Sequence, residues 1–463
     1  MGSNTMGNKG NHKNGITGIT VAGYKSLLNK TSIQISSLTI LAGANSSGKS
    51  SIMQPLLMMK QTLDEVYDPG DLLISGPHVN FNSADNFISK FGPKRSKQFS
   101  IKIDFDEDKS ISESFTKGTN KPVELVETKY KIENNEFEIN GQMSERELIN
   151  KYPIINDFLN VFSNSVFSMI KDNKNENTYD EDITEKLGFR FNVQRKRCFL
   201  GLMINTLDVK TKTMITEQYF PFLGFENLLV IENYITRIIH VPALRTNTER
   251  TYKTTAVGPR FPGTIDNYVA SIINSWKLAN DPRLSKLNEW LSDLSLTSKI
   301  DTNKVTDTQV EILVHRLSTD SDDEKDMVNI ADVGFGIGQT LPVLVALLIA
   351  EKDQLVYIEQ PEVHLHPKAQ YNMANIIVEA ANRGVKVVIE THSMLLLTGI
   401  QTLIAEGKIP YRKVKLHWFA RGNNGESIVK SASFDKAGAF GECPIDFADI
   451  ALEADSRYLD ASD

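Results

Sequence analysis

The chain has 463 residues, a formal net charge of −7, 40% hydrophobic and 24% charged residues. That length suits two or three domains with a large core, and the mild acidity argues against a surface that grips nucleic acid everywhere. The longest apolar run, Leu341 to Ala350, is about half of what a bilayer crossing needs and reads as a buried helix. No apolar core near the N-terminus marks a secretory signal. The two cysteines, Cys198 and Cys443, suggest neither a disulfide framework nor a metal cluster, which points to the cytoplasm.

In chain order, residues 1–15 are rich in Gly, Asn and Ser and read as a disordered tail. Thr20–Tyr24, Ser32–Ile35 and Leu38–Ala42 read as strands, and Ser50–Thr62 has the spacing and residue types of a helix. Phe99–Phe105 alternates apolar and polar residues as a half-buried strand does, and Leu125–Ile139 continues in that manner. Glu145–Ile170 and Asn267–Leu294 are helix-rich, with a polar loop at Lys171–Glu185 after the first. Val310–Arg316 is strand-like, and Ser318–Asp326 is an acidic turn. Two basic clusters, Lys94/Arg95/Lys97 and Arg195/Lys196/Arg197, read as solvated loops. The last third alternates. Helices at Gln339–Ala350, Lys368–Asn382 and Met394–Ala405 separate apolar strands at Leu355–Glu359, Val385–Glu390 and Lys413–Phe419. Such alternation predicts a parallel sheet covered on both faces.

Four segments carry chemistry. Gly43-Ala-Asn45-Ser46-Ser47-Gly48-Lys49-Ser50 fits G-x-x-x-x-G-K-[ST], lies between a strand and a helix, and continues into Ser51. The glycines let backbone N–H groups face phosphates, Lys49 pairs with the β- and γ-phosphates, and the Ser50 hydroxyl ligates magnesium. Leu355-Val-Tyr-Ile-Glu359-Gln360-Pro361-Glu362 is an apolar strand ending in an acid, the Walker B arrangement for holding magnesium. Asp332-Val-Gly334-Phe335-Gly336-Ile337-Gly338-Gln339 runs glycines into a helix start, which by itself could be a plain turn. Val385 to Glu390, then Thr391-His392-Ser393, delivers a histidine to the same sheet edge as Glu359.

In this order, the four segments resemble the ABC-type ATPases of the SMC, RecF and overcoming-lysogenization-defect group. VGFGIGQTLPVL, IEQPEVHLHP and VVIETHS closely resemble a branch of bacterial AAA-family ATPases, many of them in anti-phage defence operons. The resemblance covers about residues 16–65 and 328–450. It implies an α/β ABC-type P-loop ATPase head with a mixed β lobe, a parallel sheet core and a large helix-rich insertion between the Walker A and signature segments. The expected limits are 16–140 and 306–463 for the two parts of the head and 141–305 for the insertion, a compact lobe mixing strands and helices since coiled-coil heptads are missing.

The resemblance also implies roles. Gly43 to Ser51 would bind one ATP, with Mg2+ on Ser50 and Glu359. Gly336, Gly338 and Gln339 would touch the γ-phosphate held by a second subunit, Leu365 and His366 would lie in the D-loop that reaches across the dimer, and His392 would contact the γ-phosphate. Two departures stand out: Gly336 replaces the signature serine, and Gln360 replaces the glutamate that normally activates water. Glutamine can orient water but cannot take its proton, so Glu359 or Glu362 does that work or hydrolysis is slow. Arg245, in the segment from His240, is read as a nucleotide or DNA contact or as a structural salt bridge.

The resemblance further implies a head-to-tail homodimer or higher homo-oligomer. It would act as sensor or scaffold for a separately encoded effector, expected to be a nuclease as in Septu-like or PARIS-like pairs, with DNA a possible partner and no membrane. The alternative is a RecF- or SMC-like clamp on duplex DNA, which predicts salt-sensitive DNA binding. A transporter subunit fits the His-Leu-His-Pro segment poorly. The acidic Asp446, Asp449, Glu453 and Asp455 read as a solvated helix face rather than as a nuclease centre.

Overall fold

The computed structural model describes residues 15–90, 96–105, 108–153, 155, 187–208, 211, 214–219, 226–316, 326–441, 457 and 460. β1 (Ile16–Ala22) pairs antiparallel with β2 (Thr31–Gln34), after which β3 (Leu38–Gly43) leaves for a different sheet and α1 (Lys49–Asp64) follows. β4 (Gln98–Phe105), β5 (Lys109–Lys117), β6 (Val123–Ile132) and β7 (Asn135–Asn140) complete an antiparallel sheet in the order β2-β1-β4-β5-β6-β7. α2 (Glu145–Lys151) starts in a capping box between Ser144 and Glu147. β8 (Leu187–Lys196), β9 (Phe199–Asp208) and β10 (Met214–Tyr219) form a three-stranded antiparallel sheet, and α3 (Glu226–Thr236) follows.

β11 (Ile239–Val241) and β12 (Tyr252–Lys253) come next, then α4 (Val269–Leu278) and α5 (Pro282–Asp293). Asp281 caps α5 and Pro282 opens it, which ends α4 and turns the chain. β13 (Ile300–Thr306), β14 (Gln309–His315) and β15 (Met327–Asn329) join β12 in an antiparallel sheet. The remainder is α6 (Phe335–Ile349), β16 (Leu355–Glu359), α7 (Pro367–Asn382), β17 (Lys386–Thr391), α8 (Met394–Ala405), β18 (Val414–Arg421) and β19 (Ser427–Ser433).

The central sheet runs β11-β16-β17-β3-β18-β19, parallel throughout except for β19. Its two faces feed two cores. Ile40, Val356, Ile358, Val387 and Ile389 pack on the side of α6, α7 and α8. Leu41, Tyr357, Val388 and Phe419 pack with α1 and the β1-to-β7 sheet. Period-two alternation with both faces apolar is what a sheet covered on both sides requires. No described helix is long and apolar enough to cross a membrane.

Some expectations need correction. Helix over Glu145–Ile170 is found only at Glu145–Lys151 and at Ile155 among the described residues. The described residues of the middle of the chain mix strands with helices, as expected of that lobe, and one of its strands, β11, pairs at the edge of the central sheet. Arg195 and Arg197 are not a solvated loop. Arg195 pairs with Asp68 at 2.6 Å and with Asp71, and Arg197 donates to the Thr62 and Leu63 carbonyls. The end of α1 leaves carbonyls without intrahelical partners, and a cation there satisfies them and meets the negative end of the helix dipole. Residues 1–14, Lys94, Arg95, the Lys171–Glu185 loop, residues 317–325 of the acidic turn, and Asp446, Asp449, Glu453 and Asp455 lie outside the described residues.

Candidate functional site

The loop from β3 into α1 is held from outside by donors that take its carbonyls. Lys49 Nζ donates to the Gly43 and Ala44 carbonyls at 3.0 and 2.8 Å, Arg421 Nε to Ser46 at 3.2 Å, and Ser427 Oγ to Ser47 at 2.5 Å. Ser26 and Ser427 share a further hydroxyl contact at 2.7 Å. With its carbonyls occupied, the loop has its amides and the N-terminus of α1 left to meet an anion. Above it lies a cavity of about 1020 Å³. Asn45, Ser46, Gly48, Lys49, Ser50 and Ser51 line it, while Gly43 and Ser47 are buried. Burial pulls the Lys49 ammonium below its ordinary range, against the charges of Glu390 and Glu362.

Across the cavity stand Gln360, Glu390 and His392. Glu390 and Glu359 are register partners on β17 and β16, so their side chains leave the same face of the sheet. Glu390 accepts the Ser50 hydroxyl at 2.8 and 3.0 Å and the Tyr357 hydroxyl at 3.0 Å. Burial, and then the charge of Glu359, push the Glu390 carboxyl up, while Ser50 and Lys49 oppose. Glu359 itself lies one strand further from the P-loop. Its oxygens meet His240 Nε2 and the Ala243 amide, each at 3.2 Å. Burial would raise it, but these contacts outweigh burial and hold it below the ordinary carboxylate range. Glu362 is buried and accepts from Thr391 Oγ1 at 2.7 Å and from the His392 amide at 2.9 Å. Neither acid is among the residues that line the cavity. Burial and the Lys49 charge keep His392 below the usual imidazole range, against a hydrogen bond to the Gly43 carbonyl.

Behind Glu359 runs a buried polar chain that the sequence did not announce. His240 stacks on Tyr357 and meets His78 through the two Nδ1 atoms at 3.0 Å. His78 Nε2 lies 4.0 Å from Asp64, which pairs with Lys60 at 2.8 Å. Burial above all lowers His78 from 6.5 to about 4. The folded state therefore resists its protonation. Its contribution to stability is complete above the unfolded value and is lost as pH falls from about 6.5 toward 4, roughly 3 kcal/mol at most. A His78→Gln variant is expected to lose less melting temperature than the parent between those two pH values. An identical acid slope in both proteins would clear His78 of the effect.

The expected signature residues sit elsewhere. α6 begins at Phe335, and Gly336 and Gly338 lie in its first turn. Gln339 is buried, with its side-chain amide on the Thr246 carbonyl at 3.3 Å. Leu365 is buried and His366 caps α7. Arg245 makes no ion pair within 4 Å among the described residues. Its guanidinium donates to the Gln339, Glu359 and Gln360 carbonyls at 3.0, 2.8 and 3.2 Å, tying the start of α6 to the end of β16. Burial lowers it to about 10, against the charges of Asp266, Glu362 and Glu359. The structure also brings Lys25, Ser26, Asp85, Lys90 and Arg421 to the cavity. Their sequence surroundings carry no repeated pattern that would have identified them.

No curated protein matches the chain. Among solved structures it is similar to the Smc head bound to the C-winged helix domain of ScpA, at 12% identity and a TM-score of 0.47, covering 91% of this chain and 98% of that one. It is similar to the Smc head domain with an extended coiled coil, bound to the C-terminal domain of ScpA, from Pyrococcus furiosus (12% identity, TM-score 0.44, 90% and 96% covered). The SMC head domain from Thermotoga maritima matches at 10% identity with a TM-score of 0.36, covering 91% and 99%. The AAA ATPase domain family matches residues 15–397. That match runs from the first strand through the P-loop, β16 and β17 into α8, well beyond the loop that any phosphate-binding protein could share, and this chain belongs to the AAA ATPase domain family.

Proposed function

We propose that the chain binds Mg-ATP in the P-loop cavity, hydrolyses it slowly, and has its site completed by a second copy docked head-to-tail. The observation that carries this reading is the meeting of Lys49, Ser50, Glu390, Gln360 and His392 around one cavity of about 1020 Å³. A hydroxyl and a carboxylate within hydrogen-bond distance of each other are the oxygen donors a hard cation takes. Bound there, magnesium would neutralise charge on the phosphate oxygens. Lys49 would exchange two carbonyls for phosphate oxygens, and His392 would meet the terminal phosphate. Gln360 orients water without taking its proton, which is why slow turnover is expected. The role of Gly336, Gly338 and Gln339 across a dimer rests on the resemblance of their segment; none of the three lines this cavity, and Gln339 is buried in its own subunit.

Lys49→Ala is expected to weaken binding of a fluorescent ATP analogue by about 10- to 100-fold, the range for losing charge-assisted hydrogen bonds. Unchanged affinity would remove ATP from this cavity.

In the cell we read the chain as a sensor or scaffold that holds or releases a separately encoded effector, a nuclease, in anti-phage defence. The support is the resemblance of VGFGIGQTLPVL, IEQPEVHLHP and VVIETHS to ATPases of such operons. Tagged protein expressed from its own operon, purified with and without ATP and weighed as an intact complex, tests this. A stoichiometric second protein is expected. A bare homodimer that retains DNA only with ATP would instead identify a clamp on duplex DNA.

A further inference from the structure

We propose that Glu390, rather than Glu359, is the carboxylate that joins the Ser50 hydroxyl in holding the magnesium of the bound nucleotide. This rests on the reading of the cavity as an ATP site.

The geometry separates three acids that cluster at the end of the sheet. Only Glu390 touches the P-loop: both of its oxygens lie within 3.0 Å of Ser50 Oγ, and it lines the cavity. The strand order explains why. β17 lies directly beside β3, whereas β16 is one strand further out. A neighbouring strand adds about 4.8 Å between register partners. Glu359 is also committed elsewhere, one oxygen to His240 and the other to the Ala243 amide. Glu362 is committed through Thr391 and the amide of His392. Gln360 reaches the cavity but carries no charge to offer a cation.

Glu390 is also oriented from behind. The Tyr357 hydroxyl, fully buried on β16, donates to the Glu390 oxygen that lies 2.8 Å from Ser50. Cation sites depend on such outer contacts to aim their ligands. Glu359 would then be an outer group: it fixes His240 and the loop at Ala243, and stands beside the ligand rather than acting as one.

The test compares binding of mant-ATP in magnesium and in EDTA for the parent, Glu390→Gln and Glu359→Gln. Each change is isosteric, and affinity in EDTA reports an intact P-loop independently of turnover. The quantity compared is each protein's own ratio of affinity in magnesium to affinity in EDTA: Glu390→Gln is expected to lose at least about tenfold of that tightening, with Glu359→Gln losing much less. Electron paramagnetic resonance of Mn2+ with ADP reads the same site without hydrolysis, and a changed spectrum is expected only for Glu390→Gln. Full magnesium tightening in Glu390→Gln, or its loss in Glu359→Gln alone, overturns the assignment while leaving the ATP site in place. A parent that binds no mant-ATP in either buffer overturns the ATP reading and this assignment with it.

Discussion

Arg245→Ala is expected to destabilise the protein by about 3–5 kcal/mol, a cost on the scale of removing one partner from a buried charged contact. The guanidinium is buried, and three backbone carbonyls from two separate elements converge on it. Alanine would leave all three carbonyls without this donor. Arg245→Lys keeps the charge but loses the planar fork that spans Gln339 on one side and Glu359 and Gln360 on the other, so only partial recovery is expected. Denaturant unfolding of the three proteins measures the difference. A midpoint for Arg245→Ala within error of the parent would show that solvent satisfies those carbonyls and that the link between α6 and β16 carries little energy.

Gly43→Ala is expected to cost about 2–5 kcal/mol and to abolish nucleotide binding with it. A Cβ at this position would stand 2.1 Å from the Phe419 carbonyl oxygen, and the backbone φ is +139°. The obstacle is backbone of β18, the register partner of Gly43, so nothing can rotate aside. Gly70→Ala supplies the control: it has φ of +104° and nothing within 4 Å of the added carbon. If the two variants melt alike, strain in the left-handed region is the whole effect and the close approach of β18 is unimportant.

What could be seen in the sequence was what lies close together along the chain. The P-loop is a contiguous run, and each βα unit from α6 to α8 keeps its apolar period within itself, so both were legible. β5 escaped because SISESFTK reads as polar, although Ile111 and Phe115 point into the core and Glu113 is buried beside Thr128. β11 has only three residues and takes its identity from pairing with β16, more than a hundred positions away. The site followed the same division. Gly43 to Ser50 and His392 are read as site residues from local patterns, and Asn45, Ser46, Gly48, Lys49, Ser50 and His392 line the cavity. The closeness of Glu390 to Ser50, and of His240 to Glu359, depends on which strands become neighbours, and no spacing along the chain records that. Arg245 was singled out, but its partners are backbone atoms, which leave no trace in residue identity.

The place of β3 in the central sheet has a consequence for how the protein is made. β3 ends at Gly43, yet its two neighbours are β17, from Lys386, and β18, from Val414. At about 5–20 residues per second, a ribosome that has finished β3 needs on the order of tens of seconds to deliver either partner. Throughout that interval the apolar Leu38–Gly43 strand has no central-sheet neighbour to pair with, and the P-loop it carries cannot take its final shape. Synthesis therefore produces a long-lived nascent chain with an open sheet edge. Release of fragments that stop before β17 is the stage at which aggregation is most to be expected.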